Sequence, residues 1–136
     1  MTNIAWSLNV QRNGASEINA SATAEAEAID SVTATLPAKP QNEDASSISV
    51  DIQPGDIADI KLLVVKASRY DSGLTFAAKD GDGTSTRTVA LDAPQIFSGG
   101  SVGLLERTPV QLEFTNNTDQ EITVKVFVAR LAIQPN

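Results

Sequence analysis

Hydrophobic residues fall on every other position through most of this chain, and clusters of turn-forming residues interrupt them. The clearest stretch lies between Pro109 and Ile133. Val110, Leu112 and Phe114 alternate with polar neighbours, and then Asn116, Asn117, Thr118, Asp119 and Gln120 break the run. Ile122, Val124, Val126 and Val128 resume it, with Thr123, Lys125, Phe127 and Ala129 between them. Period-2 alternation rich in β-branched residues marks strands with one buried face. The break is made of residues that form Asx and ST turns. The pattern predicts an antiparallel hairpin whose apolar faces pair across the ladder. A further sheet must cover it, because a lone hairpin is marginal in water.

The rest of the chain has the same grammar. Ile4, Trp6, Leu8 and Val10 predict a first strand, and Asn13-Gly14 predicts a two-residue turn, since both residues accept positive φ. The strand returning from Ala15 is unusual, with Ala20, Ala22, Ala24, Ala26 and Ala28 alternating with Ser21, Thr23, Glu25 and Glu27. Alanine and glutamate favour helix by propensity, but a helix here would carry an apolar stripe of methyl groups only. The spacing of 2 favours a strand whose small residues let a neighbouring layer approach closely. Val32, Ala34 and Leu36 predict another strand, ended by Pro37 and Pro40 and followed by a polar loop from Gln41 to Ser47.

Ile48, Val50 and Ile52 form a short alternating strand closed by Pro54-Gly55. Leu62-Leu63-Val64-Val65 is continuously apolar, as in a central strand covered on both faces. Tyr70 to Gly73 and Asp80 to Gly83 read as turns around a strand at Leu74-Thr75-Phe76, and Arg87 to Leu91 returns with Val89 and Leu91 on one face. Gly99, Gly100 and Gly103 mark a flexible or tightly bent segment. Eight or nine short strands separated by turns predict an all-β fold, an antiparallel β-sandwich of jelly-roll type, over residues 1–136 as one domain.

Composition narrows the chemistry. The 136 residues contain no cysteine and no histidine, which removes disulfides, thiolate sites, the usual general base and the commonest metal ligand. Aromatic residues make up 4% of the chain, so the core is aliphatic. A net charge of −7 without a Lys/Arg cluster argues against nucleic acid as a partner. No apolar run is long enough to predict a membrane span. The N-terminus lacks the basic and apolar regions of a secretory signal, so synthesis and folding in a cytoplasm are expected.

Several residues have a chemical reading and a plainer one. Asp80, Asp82 and Thr84 resemble the start of a calcium loop, but Leu91 stands where the closing carboxylate would be, and a hairpin turn explains the same residues. Glu25 and Glu27 form a carboxylate pair of the kind used in glycoside hydrolysis, although on a strand they share a solvated face with no cleft. Asn19-Ala20-Ser21 and Asn116-Asn117-Thr118 match the glycosylation pattern, which has no use in a cytoplasm. Gly99-Gly100-Ser101 lacks the strand, helix and lysine of a phosphate loop. Trp6 and Tyr70 have rings that stack on sugars, but with so few aromatics they read first as packing residues. No catalytic, cofactor-binding or metal-binding residue is predicted, and an enzyme is not expected.

Several strings also resemble the β-sandwich head decoration, or cement, proteins of tailed bacteriophages. They are the first strand with Asn13-Gly14, the run Asp59 to Ser68 followed by Leu74-Thr75-Phe76, the string Leu91 to Gly100, and Leu112 to Asn117 with Ile122 to Arg130. The resemblance implies a structural virion protein that binds the major capsid protein on the outside of a phage head and stabilises the shell. It further implies a homotrimer, and it carries over no individual residue. The terminal segments Met1–Ile4 and Leu131–Asn136 are the expected crossings to a neighbour. A carbohydrate- or receptor-binding sandwich of a phage tail or adhesion device is the alternative. It would need an exposed aromatic platform or a calcium site at Asp80 and Asp82.

Overall fold

The computed structural model describes residues 1–52, 57–83, 85, 87–105 and 109–131. The expected turn at Pro54-Gly55, Thr84 of the calcium-like string and residues 132–136 of the expected C-terminal crossing lie outside them. Ten strands are present among the described residues. They are β1 (Thr2–Arg12), β2 (Ala15–Ala26), β3 (Ala28–Leu36), β4 (Ser46–Asp51), β5 (Ile60–Ala67), β6 (Leu74–Lys79), β7 (Val89–Ala90), β8 (Gln95–Ser98), β9 (Gln111–Asn116) and β10 (Ile122–Arg130). Two 3-10 turns, Ile57–Asp59 and Gly99–Leu105, interrupt them.

Two four-stranded antiparallel sheets form the sandwich. Sheet I has the order β3-β10-β5-β8, and sheet II the order β4-β9-β6-β7. The pairings are nested: β6 with β7, β5 with β8, β4 with β9, and β3 with β10. This is one long hairpin rolled so that successive layers fall alternately on two sheets, which is the jelly roll. Its apex is the turn at Asp80–Gly83, where the Asp82 N–H donates to the Asp80 carboxylate (3.0 Å) and the Gly83 N–H to the Asp80 carbonyl (3.1 Å).

The alternation sorted the faces correctly. Ile122, Val124, Val126 and Val128 point inward from sheet I, beside Val32, Ala34 and Leu36 of β3 and Leu63, Val65 and Ala67 of β5. From sheet II, Val50, Leu74, Phe76, Leu112 and Phe114 meet them. The Phe76 and Phe114 rings lie 5.9 Å apart between centroids and tilted. β5 is central, as its continuous apolar run required: Leu63 and Val65 face the core, while Leu62 and Val64 face the other side of sheet I.

Two expectations need correction. β9 and β10 do not pair as a hairpin: β9 bonds to β4 and β6 in sheet II, and β10 to β3 and β5 in sheet I. Their link crosses the sandwich, so their apolar faces meet through the core. The return strand expected from Arg87 to Leu91 shrinks to Val89–Ala90, with Leu91 buried and Val89 38% exposed. Of the two alternatives for the glycines at 99, 100 and 103, the bent one is found: they lie in a 3-10 turn that buries Val102 and Leu105.

The remaining two strands stand apart. β1 and β2 form their own sheet, a ribbon in register from Thr2↔Ala26 to Arg12↔Ala15. Asn13 (φ 51°) and Gly14 (φ 83°) close it, the pair of positive angles that a type I′ turn demands. The Ala/Glu stretch is therefore a strand, because cross-strand pairing outweighs helix propensity. The ribbon is 11 and 12 residues long, about twice the usual strand, and most of it projects from the sandwich as an arm.

Candidate interaction surface

The register of the arm places Ile4 opposite Ala24, Trp6 opposite Ala22, Leu8 opposite Ala20, and Val10 opposite Ile18. Because side chains alternate across a strand, all eight share one face. The other face carries Asn3, Ala5, Ser7, Asn9, Asn19, Ser21, Thr23 and Glu25. A register shift beyond Val10 skips Glu17, whose carboxylate then meets Arg12 at 2.6 Å near the turn. The tip is thus close to neutral, in a chain that is otherwise acidic.

The apolar face has two fates along its length. At the root, Ile4 and Trp6 pack against Ala26, Leu62 and Ala129 on the outer side of sheet I. Ala26 and Ala129 are fully buried there and Leu62 nearly so. Further out the cover ends: Leu8 is 42% exposed, Val10 41% and Ile18 53%. The layer expected over the alanines of β2 is absent above Ala20 and Ala22 among the described residues, which are themselves exposed.

The outer side of sheet I is built in cross-strand rows. One row runs Ile29–Ala129–Leu62–Ser98, and the next Ser31–Phe127–Val64–Ile96. The arm root covers the middle of the first. The second is only half covered, and its end residue Ile96 is 41% exposed. The following row places Lys125 directly opposite Lys66, so the apolar strip ends in a basic rim.

The positions singled out for chemistry lie apart from one another. Glu25 and Glu27 are exposed; Glu25 pairs with Asn3, and the Glu27 N–H donates to the Arg130 carbonyl (2.9 Å). Asp80 and Asp82 are joined by the turn bond at the far apex of the roll. Among the described residues, no group of three or more carboxylates gathers as a metal site would require. Trp6 is half-buried at the arm root, and Tyr70 is exposed beyond the end of β5. Asn117 is exposed while Asn116 is fully buried. Gly99 and Gly100 begin the 3-10 turn with Ser101, whose hydroxyl donates to the Ser98 carbonyl (2.8 Å) and accepts from the Ser98 N–H (2.8 Å).

A cavity of about 270 Å³ opens beside β6 and β8, lined by Phe76, Val89, Phe97, Leu104 and Leu105, with Arg87 at its side. It falls just under the range of about 300–1,000 Å³ usual for small-molecule pockets. Among the described residues, no helix is long and apolar enough to cross a membrane.

The exposure of Leu8, Val10 and Ile18 leaves no mark in the hydrophobic pattern, because alternation alone cannot distinguish a buried face from a bare one. Strand length held the signal: strands of 11 and 12 residues overhang the 8- and 9-residue strands β5 and β10 on which their root lies.

No family model matches the sequence, and no curated protein matches it. Among solved structures, the chain is similar to the SPBc2 prophage-derived protein YomS, at a TM-score of 0.36 and 16% identity over 77% of this chain and 97% of that one. It is also similar to a chain of the infectious bursal disease virus Gx strain, at a TM-score of 0.29 and 16% identity over 92% of this chain and 38% of that one. One likeness is to a protein of prophage origin and the other to a virus; neither score carries an argument about function.

Proposed function

We propose that this protein is a structural component of a phage virion, a decoration protein that binds the major capsid protein on the outer surface of the head and stabilises the shell. The observation that carries this reading is the bare apolar arm on an otherwise well-packed roll. Apolar side chains that lie together along one exposed face, rather than scattered singly, are a mark of an interaction surface. A two-stranded ribbon is marginal in water by itself, so the projecting half of the arm needs a partner. The residues weighed for catalysis and metal binding are dispersed, which suits a protein that works by contact, without a cofactor. Strong acidity suits the outside of a virion better than a surface facing DNA. The string resemblance to cement proteins points the same way.

The test is made on particles. Purified heads should carry the protein in stoichiometric copies, and heads assembled without it should open at lower temperature and on transfer to low salt. Equal survival of bare and complete heads would overturn the cement role. Specific binding of the isolated protein to a glycan array, without binding to heads, would favour a receptor-binding role instead.

A further inference from the structure

We infer that the open edge of β3 takes an extended segment of a different protein as a fifth strand of sheet I, one that sets a basic side chain beside Asp30 and apolar side chains beside Val32 and Ala34. The inference deepens the structural role proposed above by naming a mode of contact, and rests on that reading only for placing the incoming strand on the shell.

The ladder bonds fix which groups the edge presents. The Ser68 N–H donates to the Thr123 carbonyl (2.8 Å), so the odd-numbered residues of β10 turn their backbone groups toward β5 and the even-numbered ones toward β3. Val124, Val126 and Val128 therefore bond to Ala34, Val32 and Asp30. The N–H and C=O groups of Ile29, Ser31, Thr33 and Thr35 point the other way, where sheet I ends. They form a row about 20 Å long, with a pair of groups about every 7 Å. Another strand matches that repeat, and strand addition is a common mode of peptide recognition.

The other three edges of the sandwich are blunted, as exposed edges usually are. On β8 the outward groups belong to Ile96 and Ser98. Ser101 holds both of the latter, at 2.8 Å each, and Pro94 before them has no N–H to offer. β7 is two residues long, and β4 sets the Asp51 carboxylate at the end of a six-residue strand. β3 runs for nine residues, and its edge-facing residues are uncharged, exposed and mostly β-branched. A strand added to the β1–β2 ribbon would find no core. One added beside β3 meets Val32 and Ala34, half-buried at the margin of the main core.

Charge selects the occupant. Asp30 shares the inward face with Val32 and Ala34, is half-buried, and has no ion pair among the described residues. A Lys or Arg on the incoming strand would lie directly beside it, a favourable cross-strand pair. A second copy's β3 brings no such residue, since its one charge is Asp30 itself. Two chains of −7 each also repel.

The test uses an end-blocked peptide, Thr-Val-Thr-Val-Thr-Lys-Thr, which laid antiparallel puts its valines beside Ala34 and Val32 and its lysine beside Asp30. It is titrated into the full chain to millimolar concentration while NMR follows amide hydrogen exchange. Exchange at residues 29, 31, 33 and 35 should slow about tenfold once the peptide reaches about ten times its Kd, with residues 30, 32 and 34 unchanged. Glu in place of the lysine should weaken binding, and Asp30→Lys should reverse that preference. Thr33→Pro removes an edge N–H that no ladder bond uses, so it should keep the wild-type circular dichroism spectrum and lose the peptide. Ser49→Pro, whose N–H likewise faces outward from β4, should keep both. Absence of the alternating protection at millimolar peptide overturns the inference. So does the same protection in the chain alone, from pairing of two copies. Heads that bind Thr33→Pro as well as wild type would overturn this contact and spare the cement role. Alternating protection by the peptide, with no binding to heads, would uphold the edge site and sink the cement role.

Discussion

The side-chain amide of Asn116 donates to the carbonyl of Gln120 over 2.8 Å, across the link that carries the chain from sheet II to sheet I. The same amide reaches the Pro37 carbonyl at 3.0 Å. Its oxygen accepts from the Thr118 N–H (2.9 Å) and the Thr118 hydroxyl (2.7 Å). Asn116 is fully buried, and this one residue ties the end of β9, the start of β10 and the exit of β3 into one corner.

Replacing Asn116 by alanine takes a donor from the partly buried bonds to the Pro37 and Gln120 carbonyls and the acceptor from the Thr118 N–H. Each such group costs about 1–3 kcal/mol, so Asn116→Ala should lower unfolding free energy by about 2–4 kcal/mol in a urea titration. Asn116→Asp should cost at least as much, because a carboxylate turns oxygen toward the carbonyls that the amide now serves. A loss under about 0.5 kcal/mol, typical of a plain surface site, would show that the corner is held by other contacts.

That corner also explains what the sequence concealed. A turn-rich link between two alternating strands fits a hairpin and a crossover equally well, because alternation records which face is buried and not which strand lies alongside. Sheet partnership in a jelly roll is set by the whole rolled hairpin, and β10 finds its neighbours far back along the chain, at Ala28–Leu36 and Ile60–Ala67. Asn13-Gly14 was legible because a type I′ turn is decided by the φ preferences of two adjacent residues. The inward rows of β3, β4, β5 and β10 were legible for the same local reason. The arm surface was not, since a bare strand and a covered one share a pattern.

Burial divides the apolar residues into two classes that truncation should separate. Phe114 is fully buried against Phe76, and Phe114→Ala should cost about 3–5 kcal/mol. Leu8→Ala, on the arm, should change the stability of the monomeric chain by less than about 0.5 kcal/mol. Val126, 1% exposed, cannot accept a charge, and Val126→Asp should prevent folding. Chemical denaturation followed by circular dichroism measures all three. Comparable losses for Leu8→Ala and Phe114→Ala would mean that the arm folds back on its own sandwich in solution.

The apex turn predicts indifference to calcium. The Asp80 carboxylate is occupied by the Asp82 N–H, and Leu91, where a calcium loop would close, is fully buried in the core. A chelator and millimolar calcium should both leave the melting temperature unchanged. A rise of several degrees with calcium would be a linkage effect that only binding to the folded state can produce, and would assign an ion to Asp80 and Asp82.

The arm should be able to lose its order without the sandwich losing its own. Gly14 holds φ at 83°, and a Cβ placed there meets nothing within 4 Å, so substitution brings backbone strain without a clash. A residue with a Cβ pays about 1–2 kcal/mol in the left-handed region, and Asn13 sits there too, at φ 51°. Asn13→Ala with Gly14→Ala should therefore open the type I′ turn and fray the ribbon back toward its root, where Ile4 and Trp6 still pack on Leu62 and Ala129. Hydrogen exchange should show protection lost over residues 7–21 and kept in β5, β9 and β10, with the melting temperature of the isolated chain nearly unchanged. Uniform loss of protection would mean that the arm and the sandwich unfold as one unit, and that the ribbon supports the core instead of merely leaving it.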